Sequence, residues 1–305
     1  MIESLLPWPA ADVIEQEHHD RRGTLITMML VRPADGTRPQ PMVLKQYRPD
    51  DEEGDGTWAA DVGRRLEQLG MCAPALDRVA LTHGVRPGAL LCERAPGESW
   101  RSTVGTERSV SAAHAVGRWV ATLQRQPLHL PEGTRRGPAD TQRQLGALLQ
   151  DGAVDTARVR AAGEHLLQEL AAPQPRVPSH GNLHPDNLFV HEQARGVLVI
   201  AIDLDTVAAR ESAYDVGYGV AQLVIRSLRR PGREHGRCAA RGLIDGYLEH
   251  RGAATPERIA LQAARAVMQA LYYEAVSMRQ PRRANAEYLP LLEGLLDHGL
   301  GALQS

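Results

Sequence analysis

The sequence predicts an α+β protein in two parts, a small β-rich lobe over about residues 1–96 and a large, mainly helical lobe over residues 97–305. Three observations carry this. Apolar and β-branched runs bounded by turn residues cluster in the first third of the chain. Helical spacing dominates after residue 98. Within the helical part, a polar loop at 179–187 opens onto two short apolar runs, 188–190 and 197–202, and the second ends on Asp203.

Thr24 to Val31 reads as a strand, and Pro41 to Tyr47 as its returning partner, with Pro33-Ala34-Asp35-Gly36 and Pro39 as turn chemistry between them. Residues 49–56 are an acidic, turn-rich connection. Trp58, Val62, Leu66 and Leu69 then keep helical spacing up to Gly70. Ala89 to Glu93 is an apolar strand that runs through Arg94 and Ala95 into Pro96-Gly97. Helices are expected at about 110–123, 141–150, 155–171, 239–250, 255–279 and 286–303, and Thr255-Pro256-Glu257 has the form of a helix start. Pro173, Pro175 and Pro178 close the helical run before the polar loop.

The composition narrows the function. With 35 basic and 37 acidic residues the net charge is −2, which argues against a nucleic-acid-binding surface. The basic stretch at 226–237 reads as a solvated connection between helices. Cys72, Cys92 and Cys238 are odd in number and widely spaced, as expected of reduced thiols in a cytoplasmic protein. No apolar run reaches the ~20 residues of a membrane span, and the N-terminal residues lack the pattern of a signal peptide.

The loop and strand pair carry the chemistry. A strand needs no charged end to fold, so an Asp at its end, beside a loop holding His, Asn and Asp, marks a candidate site for a metal and its phosphates. His180 precedes Asn187 by seven residues, and Asp203 follows sixteen residues later. That spacing suits phosphoryl transfer: a loop residue near the attacking hydroxyl, and an amide oxygen and a carboxylate on the metal.

These residues resemble the catalytic and metal-binding loops of the aminoglycoside phosphotransferase-like kinases, which share the protein-kinase fold and include the choline kinases. The family pattern is His-Gly-Asp-x-x-x-x-Asn, a pair of apolar strands, Ile-Asp, and a later Asp-Leu-Ala-like turn. Here it reads His180-Gly181-Asn182, Asn187, Ile202-Asp203 and Tyr214-Asp215-Val216-Gly217. The match covers about residues 179–218 directly and is echoed at Lys45 and Glu93.

The resemblance implies a bilobal protein-kinase-like fold with ATP between the lobes. It implies Lys45 on the phosphates, main-chain groups around Glu93, Arg94 and Ala95 on the adenine edge, and Asn187 and Asp203 on Mg²⁺. His180 is then architectural, and Asp215 anchors the loop through its N–H groups. The glycine-poor segment Arg21-Arg22-Gly23 stands where a phosphate-covering loop would lie. The acid that pairs with the strand Lys comes from the following helix in the family, where this chain offers Asp61 and Glu67.

One position departs from the pattern. The family's catalytic Asp is Asn182, and an amide cannot accept the hydroxyl proton as a carboxylate does. Three readings stay open. One is an ATP-dependent phosphotransferase acting on a hydroxyl of a small molecule, an antibiotic or other metabolite, with Asn182 orienting the acceptor. A second is a pseudokinase, a nucleotide-binding or scaffolding module that presents a substrate or peptide to a partner enzyme. A third is a different transferase chemistry on the same fold.

Overall fold

The computed structural model describes residues 12–21, 24–35, 37–47, 56–72, 78–79, 82–133, 137–194, 196–228 and 233–303. Arg22, Gly23 and most of the acidic connection at 49–56 lie outside them, as does part of the basic stretch at 226–237. The chain forms two compact units: Met1–Gly97 with Ile200–Asp205, and Glu98–Val199 with Thr206–Ser305. A small antiparallel β-sheet unit and a mainly helical unit make this the α+β, kinase-like architecture expected from the sequence.

In the first unit, β1 (Asp12–Arg21), β2 (Thr24–Arg32), β3 (Gln40–Tyr47), β5 (Thr82–Arg86) and β6 (Ala89–Glu93) form an antiparallel sheet in the order β1-β2-β3-β6-β5. The short β4 (Arg78–Val79) lies parallel to Ile200 and Ala201. Side chains alternate across a strand, so Met29 and Val31 of β2 and Met42 and Leu44 of β3 face one side, where they pack with Ala89 and Leu91 of β6. The same alternation turns Lys45 to the opposite face from Leu44, and its backbone partner is Leu90. Helix α1 (Gly56–Cys72) buries Val62, Leu66 and Leu69 along one stripe. The strand β1 was not expected from the sequence, because its charged residues hide the pattern of an edge strand.

The second unit begins with β7 (Glu98–Ser99), α2 (Trp100–Thr103), α3 (Ser109–Gln124), α4 (Pro138–Asp151) and α5 (Thr156–Leu170). The short strand β8 (Arg176–Ser179), the polar loop, β9 (Leu188–Gln193), β10 (Gly196–Ala201) and β11 (Ala208–Glu211), which pairs with β8, follow. The last part is α6 (Tyr214–Leu228), α7 (Arg233–Glu249), α8 (Pro256–Tyr272), α9 (Pro281–Arg283) and α10 (Leu289–His298). Thr255 caps α8 by accepting the Arg258 N–H, with Pro256 in the first turn.

The helix expected to run to residue 279 stops at Tyr272. A π-helical turn, Tyr273–Ser277, buries Glu274 against Arg283 at 3.4 Å, and Arg279 (φ 54°) and Pro281 then end it. Among the described residues no helix is long and apolar enough to cross a membrane.

Helices α3 and α7 approach so closely that glycine is required on both. A Cβ at Gly246 would stand 2.1 Å from the His114 carbonyl oxygen, and one at Gly117 would stand 2.2 Å from that of Leu243. Gly246→Val is therefore expected to cost about 2–3 kcal/mol through overpacking. Thermal denaturation should show Tm lowered by about 5–10 °C, and an unchanged Tm would contradict this packing.

Candidate functional site

In the first unit the strand-end lysine meets the strand-end acids. The Lys45 ammonium pairs with Asp203 Oδ1 and lies 3.6 Å from Asp205 Oδ1. Tyr47, two residues on and therefore on the same face, donates its hydroxyl to Asp205 Oδ2 at 2.6 Å. Burial by itself would lower the lysine's pKa, but Asp205 and Asp203 outweigh it and hold Lys45 above its ordinary value. Burial and Asp205 push the Tyr47 phenol up, and burial pushes the neighbouring Cys92 thiol up to about 11.

Asp203 has φ 63°, in the left-handed region that disfavours L side chains. Asp visits that region more readily than most residues, at a cost of order 1–3 kcal/mol. Such a cost is commonly found at functional positions. The helix acids do not serve Lys45: Asp61 pairs with Arg65 of its own helix at 3.0 Å, and Glu67 is exposed. At the end of β6, the Arg94 N–H donates to Pro41 O at 2.9 Å, following Glu93 and preceding Ala95. Arg94, Pro41, Met28 and Leu30 line a cavity of about 220 Å³.

In the second unit the polar loop is held by one buried acid. Asp215, fully buried at the start of α6, accepts the His180 N–H at 2.6 Å and the Gly181 N–H at 3.0 Å. Burial pushes its carboxyl up, while His180 and the two N–H groups pull it down. Gly181 has φ 83°, and a Cβ there would lie 2.3 Å from Thr206 O, so only glycine passes. Thr206 donates its hydroxyl to His180 O at 2.8 Å. The His180 ring, also fully buried, packs edge-on to Trp119 and accepts the Asn182 N–H at Nδ1.

Asn187 Nδ2 donates to Asn182 O at 3.0 Å, and the His184 N–H donates to the same oxygen at 2.6 Å. The amide nitrogen of Asn187 is thus turned toward the loop, and the other end, Oδ1, is the kind of acceptor a hard cation uses. Asp186 lies 3.3 Å from both His184 and Arg226, and its hydrogen bond with His184 holds its carboxyl far below the usual range.

The structure brings Lys45 together with Asp203 and Asp205 in the first unit, a pairing the sequence did not predict, and gathers His180, Asn182, Asn187 and Asp215 around the loop in the second. Tyr47, Thr206 and Arg226 were missed by sequence reasoning. The alternation that places Tyr47 beside Lys45 was available in the sequence, whereas the other two act only through the fold. Asn187 and Asp203 each offer a hard oxygen of the kind Mg²⁺ takes beside phosphate oxygens. Among the described residues there is no cluster of three His, Cys, Asp or Glu that would hold a metal unaided. Asp215→Ala would strand two buried N–H groups at about 1–3 kcal/mol each. Hydrogen exchange should then show His180 and Gly181 deprotected, and unchanged protection would contradict the anchoring role.

Known proteins resemble this arrangement. The sequence pattern of the phosphotransferase enzyme family matches residues 31–258. No curated protein sequence matches the chain significantly. Among solved structures, the macrolide 2'-phosphotransferase MphH from Brachybacterium faecium is 18% identical, with 95% of each chain covered and a TM-score of 0.53. A choline/ethanolamine kinase family protein from Mesorhizobium loti is 15% identical over 95% of this chain and 92% of its own, with a TM-score of 0.60. The amicoumacin kinase hAmiN, in complex with AMP-PNP and Ca²⁺, is 12% identical over 92% of this chain and 88% of its own, with a TM-score of 0.63. These likenesses are of fold. The family pattern covers most of the chain, and with it the lysine strand, the anchored loop and the strand-end acid: this chain belongs to the phosphotransferase enzyme family.

Proposed function

We propose that the protein is a Mg·ATP-dependent phosphotransferase acting on a hydroxyl of a small molecule, an antibiotic or other metabolite. The observation that carries this reading is the Lys45–Asp203 pair flanked by Asp205. A buried cation and two carboxylates at strand ends are the groups that phosphates and a metal would respectively engage.

Lys45 binds the phosphates in this reading, and Asn187 and Asp203 hold Mg²⁺. The metal supplies charge neutralisation across the transferring phosphoryl group. Main-chain groups of Glu93, Arg94 and Ala95 hold the adenine edge. Asp215 keeps the loop in place, and His180 supports it from the buried side. Asn182 orients the acceptor hydroxyl without removing its proton, so the chain supplies positioning and charge but little general-base assistance. The similar folds of macrolide and amicoumacin kinases favour an antibiotic-like acceptor, and that of the choline/ethanolamine kinase family protein favours an amino alcohol. We place the protein in the cytoplasm, where ATP and reduced thiols coexist.

Asn182 also favours a second reading, a pseudokinase that binds nucleotide and presents a substrate or peptide to a partner enzyme. One experiment separates them. The protein is incubated with Mg·ATP and a panel of macrolides, aminoglycosides and amino alcohols, and products are read by mass spectrometry for an added phosphoryl group. The phosphotransferase reading expects slow transfer by wild type, none by Asp203→Ala, and a rise of about 10²-fold or more in Asn182→Asp. Transfer by Asn182→Asp alone would establish the pseudokinase reading. Transfer that survives Asp203→Ala would overturn the metal assignment.

A further inference from the structure

Two acids stand at the Lys45 ammonium, and they are not equivalent. Asp203 forms the closer pair, and its side chain is 24% exposed. Asp205 lies 3.6 Å away through Oδ1 and is 11% exposed. Burial works against the charge on Lys45, and the attraction of Asp205 is the largest effect that restores it, ahead of that of Asp203. The acid more open to a ligand is therefore Asp203, and the acid withdrawn from water together with the lysine is Asp205.

The two oxygens of Asp205 keep different company. Oδ2 accepts the Tyr47 hydroxyl at 2.6 Å. Oδ1 is buried, accepts no hydrogen bond among the described residues, and lies against the ammonium. An O–H donated to a carboxylate is short and strong, so the phenol fixes which oxygen is turned to the lysine. Tyr47 reaches Asp205 because it follows Lys45 by two residues on β3 and shares its face. Helix α1 offers no substitute, since Asp61 is engaged by Arg65 at 3.0 Å and Glu67 is exposed. A buried cation that loses its counter-charge is strongly destabilised. With Asp203 turned to a metal, Asp205 is the acid left at Lys45.

We propose that Asp205 is the standing counter-ion of Lys45, and that Tyr47 is a positioning residue that aims it, so that the ammonium stays in place for phosphate when Asp203 engages the metal. This inference rests on the phosphotransferase reading above. Without the phenol hydroxyl, Asp205 keeps its charge but is free to turn, and Lys45 is held less firmly where the phosphates meet it.

The test is calorimetric titration of the full chain with AMP-PNP, with and without Mg²⁺. Tyr47→Phe, which removes one oxygen and keeps the ring, is expected to raise the Kd for Mg·AMP-PNP about tenfold. Asp205→Asn is expected to raise it by a similar factor while keeping the Mg²⁺ dependence that Asp203→Ala loses. The double variant is expected to match Asp205→Asn, because the phenol acts only through that carboxylate. If Tyr47→Phe does not fold, the Kd of Asp205→Asn decides in its place. Additive losses in the double variant would overturn the proposal, as would loss of Mg²⁺ dependence in Asp205→Asn, which would make Asp205 a metal ligand. Wild-type binding with an unchanged Kd in the deciding variant would overturn this inference alone, whereas wild type that binds no Mg·AMP-PNP would overturn the phosphotransferase reading with it.

Discussion

A lysine ammonium withdrawn from water must sit against an anion, and the sheet of the first unit is built around that requirement at Lys45. The alternation that buries Met42 and Leu44 in the apolar cluster sends Lys45 and Tyr47 to the other face. There Asp203 and Asp205, carried by a separate stretch of chain, receive them. Removing one partner of such a buried pair costs about 3–5 kcal/mol, because the survivor is left without its counter-charge. The free protein therefore keeps Lys45 and Asp203 neutralised by each other. Under the function proposed above, a ligand that brings both negative phosphates and a divalent cation would satisfy both at once, and one that brings only half would leave a buried charge unmatched.

The helical unit answers a different constraint with the same economy. A loop that carries Asn182 and Asn187 exposes main-chain N–H groups that need acceptors. Asp215 supplies two, at His180 and Gly181, and Thr206 and the His180 ring tie the same turn from other sides. Every one of these contacts is to backbone rather than to the side chain of Asn182.

The strands around Lys45 and the polar loop could be read from sequence because each is local: an alternating run ends on a lysine, and a loop motif falls within a dozen residues. Asp203 was readable as the end of an apolar strand. What Lys45 pairs with was not. The following helix offered only Asp61 and Glu67, neither of which fitted; Asp61 is neutralised within its own helix by Arg65, and the partner comes from 158 residues away. Tyr47 to Asp205 spans the same separation. The edge strand β1 was obscured by its charges, and the π-helical turn after Tyr272 has no periodic signature distinct from the helix it ends.

Calorimetric titration with AMP-PNP, with and without Mg²⁺, on wild type and Asp203→Ala tests the central claim most directly. If Lys45 and Asp203 exchange each other for phosphate and metal, wild type binds the nucleotide in a Mg²⁺-dependent manner and the variant loses that dependence. Nucleotide binding in wild type that is absent, or that is the same with and without Mg²⁺, would contradict it.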